Sequence, residues 1–250
     1  KRQGGQRSVP LTIRLILGRG WGQGPTHSQS LHAWFAHIPG LKVVMPTSPE
    51  DAKGLLLASI ADPNPVLFLE HRWLHNTTGN VPAGNTPIPI GTARLLREGT
   101  DITIVAMSYM VIEALHAVDH LKNAGISCDL IDLRSISPID WNAITASVHK
   151  TGRMLVLDTG SLTGSLAGEV VARITAECWD ALKAPPQRIT MPDIPEPTSF
   201  GLTKGFHPDA ERIVEKIATL LGKRVLGSAL TERREHYPHD VPGTWFKGPF

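Results

Sequence analysis

A histidine set between a glycine-rich loop and a polar run is the place in this sequence with the best claim to chemistry. His27 is followed by Ser28, Gln29 and Ser30 and preceded by Gly18, Gly20, Gly22 and Gly24. An imidazole titrates near neutral pH and can give or take a proton. A helix read from Ser28 to His37, with Leu31, Trp34 and Phe35 at helical spacing, would place His27 at an N-terminus. Positive partial charge there would favour its neutral form. An ordinary loop histidine fits the same local pattern. Trp34 and Phe35 read as core residues.

Other groups invite chemistry less well. The alternating glycines do not have the GxGxxG spacing of a dinucleotide loop, and more simply permit a tight turn. His71 and His75 are four apart but follow a strand, without an evident third metal ligand. Asp158-Thr159-Gly160-Ser161 has the letters of an aspartic-protease motif. The α/β pattern around it makes it a loop at a strand's carboxyl end instead.

The elements that must position these residues read as strand alternating with helix, the signature of parallel sheets. Residues 12–17, 41–45 and 66–69 are strands, and 48–61 is a helix with Ser48 as its cap and Pro49 at its first position. Residues 76–90, with Pro82, Pro87 and Pro89, form a linker. Strands then follow at 101–107, 127–133, 153–157 and 188–190. Helices are expected at 110–123, ended by Gly125, and at 140–149, 166–182 and 209–221. The division is a first domain over 1–75, the linker 76–90, a second domain over 91–222, and a polar tail over 223–250 that packs as an extended arm or is mobile. Three strands make a thin first sheet, since parallel strands need cover on both faces. That domain is expected to be incomplete, to borrow from a partner, or to be poorly ordered. A start without methionine suggests a fragment or a processed chain.

The 250 residues carry a formal charge of +2, with 41% hydrophobic and 19% charged residues. These values suit a globular protein and leave no basic face for nucleic acid. Cys128 and Cys178 are far apart, which points to a reducing, cytoplasmic-type compartment and away from a zinc ribbon. No apolar run has the length of a membrane span.

A longer ordered series adds to this. It comprises His27-Ser28-Gln29-Ser30, Ala33-Trp34-Phe35-Ala36-His37, Pro39-Gly40-Leu41-Lys42-Val43-Val44, Asp51-Ala52-Lys53-Gly54-Leu55-Leu56 and Pro65-Val66-Leu67-Phe68-Leu69-Glu70-His71. Asp132-Leu133-Arg134 and Pro138-Ile139-Asp140 continue it. This series resembles the β subunit of the E1 component of thiamine-diphosphate (ThDP) dependent 2-oxo acid dehydrogenases of pyruvate, branched-chain and acetoin type. The resemblance spans about residues 5–222 and lacks the family's N-terminal part. It implies an α/β fold: part of a transketolase-like pyrimidine-binding domain, then a transketolase C-terminal-type domain with a parallel or mixed sheet. It implies ThDP at an interface with an α subunit in an α2β2 heterotetramer, with Mg²⁺ and diphosphate held by the α chain. A 2-oxo acid substrate and a lipoyl acyltransferase E2 partner follow from the same likeness. His27 would be the proton donor or acceptor, and Ser28 and Gln29 would orient the loop on the cofactor side. A structural K⁺ would be held by the backbone carbonyls of Ser59, Asp62 and Asn64.

The sequence departs from that family in two ways. No Asp or Glu precedes His27, where the family's catalytic glutamate would lie, and Ser137 stands where many relatives have arginine. In one negative respect the sequence agrees with the resemblance: it has no Gly-Asp-Gly with a downstream Asn, the family's Mg-diphosphate grip, so that half of the site is expected from another chain. Two alternatives stay open: a split transketolase-like or deoxyxylulose-phosphate-synthase-like subunit, and a non-catalytic assembly module.

Overall fold

The computed structural model describes residues 7–18, 22–225, 227, 230 and 241–243. Two sheets carry the fold. The first is ordered β1-β3-β2-β7, from β1 (Thr12–Leu17), β2 (Lys42–Val44), β3 (Val66–His71) and β7 (Ser135–Ser137). The second is ordered β4-β6-β5-β8-β9, from β4 (Arg94–Arg97), β5 (Ile102–Ala106), β6 (Cys128–Asp132), β8 (Met154–Ser161) and β9 (Gln187–Met191). All pairings are parallel except β2 with β7 and β4 with β6. The sequence reading had neither β4 nor β7. Both are short antiparallel edges, where a three- or four-residue pattern carries little periodic signal.

β7 answers the question of the thin first sheet. The chain borrows from itself: a strand from beyond the 76–90 segment pairs with β2, and the Met45 N–H donates to the Arg134 carbonyl at 2.7 Å. Ser137 Oγ donates to the Leu41 carbonyl at 2.7 Å, so the serine found in place of arginine is part of this seam.

The helices are α1 (Gly24–His27), α2 (His32–Ala36), α3 (Pro49–Ala61), α4 (Met110–Asn123), α5 (Trp141–Thr151), α6 (Leu166–Glu177) and α7 (Ala210–Leu220). Four of them start as the capping rules expect. Ser48, Asp140, Ser165 and Asp209 each accept a backbone N–H of the first turn of α3, α5, α6 and α7. The run expected to be helical to Leu182 stops at Glu177 and continues as a 3₁₀ turn over Trp179–Ala181. The helix expected over Ser28–His37 is instead two short pieces, α1 and α2, separated by Ser28–Leu31. Trp34 is 69% exposed, so it is not a core residue; Phe35 is half-buried against the core.

Alternation along the strands sorts side chains into two layers. Ile102, Ile104 and Ala106 of β5 face α4 and α7, together with Leu130, Leu155 and Leu157. Val105 and Met107 face the other way, into a core that also takes Val43, Met45, Leu67 and Leu69 of the first sheet. One apolar cluster therefore runs across both sheets. A buried polar seam lies beside it. Arg134, with φ +54°, donates to Asp51 at 3.0 Å and to the carbonyls of Thr92 and Ala93. Asp132 is fully buried there; burial, then the charge of Asp51, push its carboxyl up to about 7.

Of the tail, Leu230 and Val241 are buried, Val241 beside Trp73, Leu74 and Tyr109. The rest of 223–250 expected to be an arm lies largely outside the described residues. Among the described residues no helix is long and apolar enough to cross a membrane. Both cysteines are buried and free.

Candidate functional site

The carboxyl ends of β1, β3, β5, β8 and β9 turn toward one region, the side of a parallel sheet where ligands bind. Each strand delivers something. β1 ends at Gly18, whose N–H donates to the Gln29 carbonyl at 3.3 Å and so closes the loop that carries His27. A Cβ at Gly18 would come within 2.2 Å of His71 Nε2, at a φ of +78°. Only glycine permits that approach. Arg19, Gly20 and Trp21, the centre of the glycine loop, lie outside the described residues.

β3 delivers His71, the first of a stack of rings. Its centroid lies 5.2 Å from Tyr109 and 5.8 Å from Trp73, and Trp73 lies 5.2 Å from His207. Burial, then the charge of His207 and other neighbours, push the His71 imidazole down to about 3, so it is neutral. Its Nδ1 accepts the Trp73 N–H at 3.2 Å, which assigns the proton to Nε2. That nitrogen is therefore not free to ligate a metal, and among the described residues no three His, Cys, Asp or Glu are grouped to hold one. Tyr109 donates to Glu113, whose other oxygen accepts the Ala210 N–H at 2.8 Å at the start of α7.

β8 delivers Asp158 from inside the strand, not from a loop after it. His32 Nε2 lies 2.8 Å from Asp158 Oδ1, both side chains fully buried and 126 residues apart in sequence. The carboxylate also accepts the N–H of Gly160 at 2.7 Å and of Ala167 at 3.0 Å. Burial would raise the Asp158 carboxyl, but His32 and these two N–H groups hold it below its ordinary value. The pair pins α2, behind the His27 loop, to β8 and the first turn of α6.

These parts surround a cleft of about 550 Å³. Its walls include Ser28 and Gln29 on one side, Thr159 on a second, and Met191, Asp193 and Phe206 on a third. His27 does not line it; it is exposed beside it, between Pro25 and Ser28, which do. His27 also closes the C-terminal end of α1 instead of opening a helix. The sequence argument from positive partial charge at an N-terminus does not hold there, because that end presents carbonyls. Ser28 is buried and Gln29 exposed.

The three residues expected to hold K⁺ lie at the far end of the first sheet, Ser59 in the last turn of α3 and Asp62 and Asn64 in the turn after it. The Ser59 carbonyl accepts the Asp62 N–H at 3.3 Å, Asp62 Oδ1 accepts the Asn64 N–H at 2.9 Å, and Lys42 reaches the other Asp62 oxygen. Sequence reasoning missed His32, Trp73, Thr159 and the Glu196–His207 pair at 3.3 Å. Only Asp158 and Thr159 carried a signal, the protease-like letters, and the partner that gives Asp158 its role is too distant to be found by spacing.

Sequence comparison matches residues 1–77 to the family "Transketolase, pyrimidine binding domain" and residues 91–213 to "Transketolase, C-terminal domain". Together the two matches span most of the chain, which is built from the domain pair of the transketolase-like proteins. The chain is 41% identical over 223 residues to the Acetoin:2,6-dichlorophenolindophenol oxidoreductase subunit beta of Bacillus subtilis, covering 89% of this chain and 65% of that one. It is 42% identical to the rice (Oryza sativa subsp. japonica) mitochondrial Pyruvate dehydrogenase E1 component subunit beta-2, covering 84% of this chain and 57% of the relative. For the Arabidopsis thaliana mitochondrial 2-oxoisovalerate dehydrogenase subunit beta 2, the figures are 44%, 83% and 58%. The chain thus spans less than two thirds of these relatives' length. Among solved structures, one described as a split gene transketolase, inactive beta4 tetramer, has the same fold. It has a TM-score of 0.70 at 22% identity, covering 87% of this chain and 68% of that one.

Proposed function

We propose that this chain acts as the β subunit of a ThDP-dependent 2-oxo acid dehydrogenase E1 component, in a heterotetramer with an α subunit. The observation that carries the reading is the exposed His27, held beside an open cleft by the Gly18–Gln29 closure, within a sequence context about 40% identical to such subunits. A shared site is the reading, with Mg²⁺ and diphosphate on the α chain: the sequence has no Gly-Asp-Gly with a downstream Asn, and residues 1–26 contain no carboxylate side chain, so that carboxylate would come from polypeptide outside this sequence. When bound, ThDP supplies the carbanion chemistry of decarboxylation. The part of this chain is to hold or move a proton at the His27 imidazole, with Ser28 and Gln29 fixing the loop. A lipoyl acyltransferase E2 would take the acyl group, in a reducing compartment such as the cytoplasm.

The test is reconstitution with the α subunit. ThDP binding should be weak or absent for this chain alone and appear with α, followed calorimetrically. His27→Ala should then lower lipoyl-domain acylation by about 10²-fold or more while ThDP still binds. Absence of ThDP binding with α present would end the reading; turnover of sugar phosphates in place of 2-oxo acids would shift it to the transketolase-like alternative. A K⁺ at the carbonyls of Ser59, Asp62 and Asn64 is the lesser part of the proposal. It requires melting to fall when K⁺ is replaced by choline, against the hydrogen bonds already closing that turn.

A further inference from the structure

The segment that carries His27 is tied down at three points. Gly24 packs against Thr198 so closely that a Cβ there would come within 2.5 Å of its Oγ1, at a φ of +61°. The Gly18 N–H donates to the Gln29 carbonyl at 3.3 Å. His32 Nε2 meets Asp158 Oδ1 at 2.8 Å. The first tie is a packing contact and the second a long backbone bond. The third joins two fully buried side chains and does so across the domains, from the first residue of α2 to the interior of β8. α2 needs such an anchor. It is five residues long and has no side-chain cap at its start, and a helix that short is marginal by itself. Its position, and that of the loop leading into it, must be set from outside.

The anchor is built at both ends. On the Asp158 side, Oδ1 also accepts the Gly160 N–H at 2.7 Å and Oδ2 the Ala167 N–H at 3.0 Å, which fixes the carboxylate to the end of β8 and the first turn of α6. A Cβ at Gly160 would stand 3.3 Å from His32 Cε1 and 3.2 Å from Asp158 Oδ1, so the glycine lets the ring lie close on the strand. On the His32 side, Nδ1 has no hydrogen-bond partner among the described residues. Nε2 is then the ring's polar tether and carries the proton that it donates. A buried carboxylate that loses such a partner is strongly unfavourable, so the pair stays closed while the domains are folded. We propose that His32 and Asp158 are positioning residues for His27: their bond sets where the loop 27–30 stands against the second domain, and with it the place of the His27 imidazole beside the cleft. This inference rests on the reading of His27 as the group that moves a proton.

The experiment uses the full chain, alone and with the α subunit. In the chain alone, NMR order parameters of the backbone amides of residues 27–31 are measured. His32→Ala should lower them from about 0.85 to below about 0.6. His32→Gln should keep them, because its amide nitrogen is as many bonds from Cα as Nε2 and can donate to Asp158. His32→Asn, one carbon shorter, should not. With α, the Ala and Asn variants should lose about 10- to 100-fold in kcat for lipoyl-domain acylation, with KM for the 2-oxo acid changed by less than about 3-fold. The Gln variant should return to within about 3-fold of the unaltered enzyme. Ile104→Ala should lower stability and leave both readouts unmoved, which separates positioning from general destabilisation. If His32→Ala does not fold, the Gln and Asn pair decides. A loop that stays ordered in the Ala or Asn variant overturns the proposal. So does a Gln variant no more ordered than the Asn variant, or an Asn variant as active as the Gln variant. If the unaltered chain with α acylates nothing, the reading of His27 fails, and the order parameters still judge the positioning pair.

Discussion

The two sheets are built from similar sequences and end up in opposite conditions. In the second, β5 and β6 are buried along their whole length between helices on both faces. In the first, β1 is parallel and apolar yet exposes Ile13, Leu15 and Ile16, with Val9 and Leu11 before it. Its inner neighbours β2 and β3 are covered by α3 on one side and by the second sheet's core on the other. The contrast shows where the stability of this molecule resides: in the second sheet and the seam that joins it to β2 and β3, with β1 contributing little beyond its ladder.

Removing the seam should have the largest effect. Arg134→Ala leaves the buried Asp51 with only the more distant Arg94 at 3.9 Å as its cation and should cost about 3 kcal/mol in urea unfolding; Arg134 and Asp51 replaced together by apolar residues should recover much of it. Ile104→Ala in β5 should cost about 2–5 kcal/mol, since 0% of that side chain is exposed and a cavity would remain. A loss below about 1 kcal/mol would contradict the comparison. A pH series sharpens it next. The folded-state carboxyl of Asp132 is raised to about 7, so the folded state binds the extra proton. Its contribution is full below the ordinary aspartate range and is lost as pH rises through about 7. Melting temperature should fall across that window, and Asp132→Asn should flatten the fall. Asp158 works in the other direction: its carboxyl is held low, and its contribution is lost as pH falls. The smallest effect is expected at β1, where Leu15→Ala should change stability by no more than about 0.5 kcal/mol. A cost near that of Ile104→Ala would mean that β1 is covered in solution.

What the sequence disclosed follows from what is local. α4 is found at Met110–Asn123 as expected, because its apolar spacing and the glycine that ends it are within one segment. Ser48 and Pro49 marked α3 for the same reason. The resemblance carried by His27–Ser30 and the runs after it gave the family. Hidden from it were the pairings made at a distance: β7 with β2, Arg134 with Asp51, and His32 with Asp158. The break between α1 and α2 was hidden too, because Leu31, Trp34 and Phe35 satisfy helical spacing, whereas the Gly18 N–H to Gln29 carbonyl bond is made at a distance in sequence. Of the candidate site, the sequence showed the loop and not the floor beneath it.

The strand β7 has a practical consequence. A protease that nicked the chain anywhere in 76–90 would produce two pieces interlocked like a dovetail, since the downstream piece keeps a rung in the upstream ladder. Such a nicked protein should run as one species on a sizing column and come apart only when denatured, and expressing the upstream piece alone should give insoluble material.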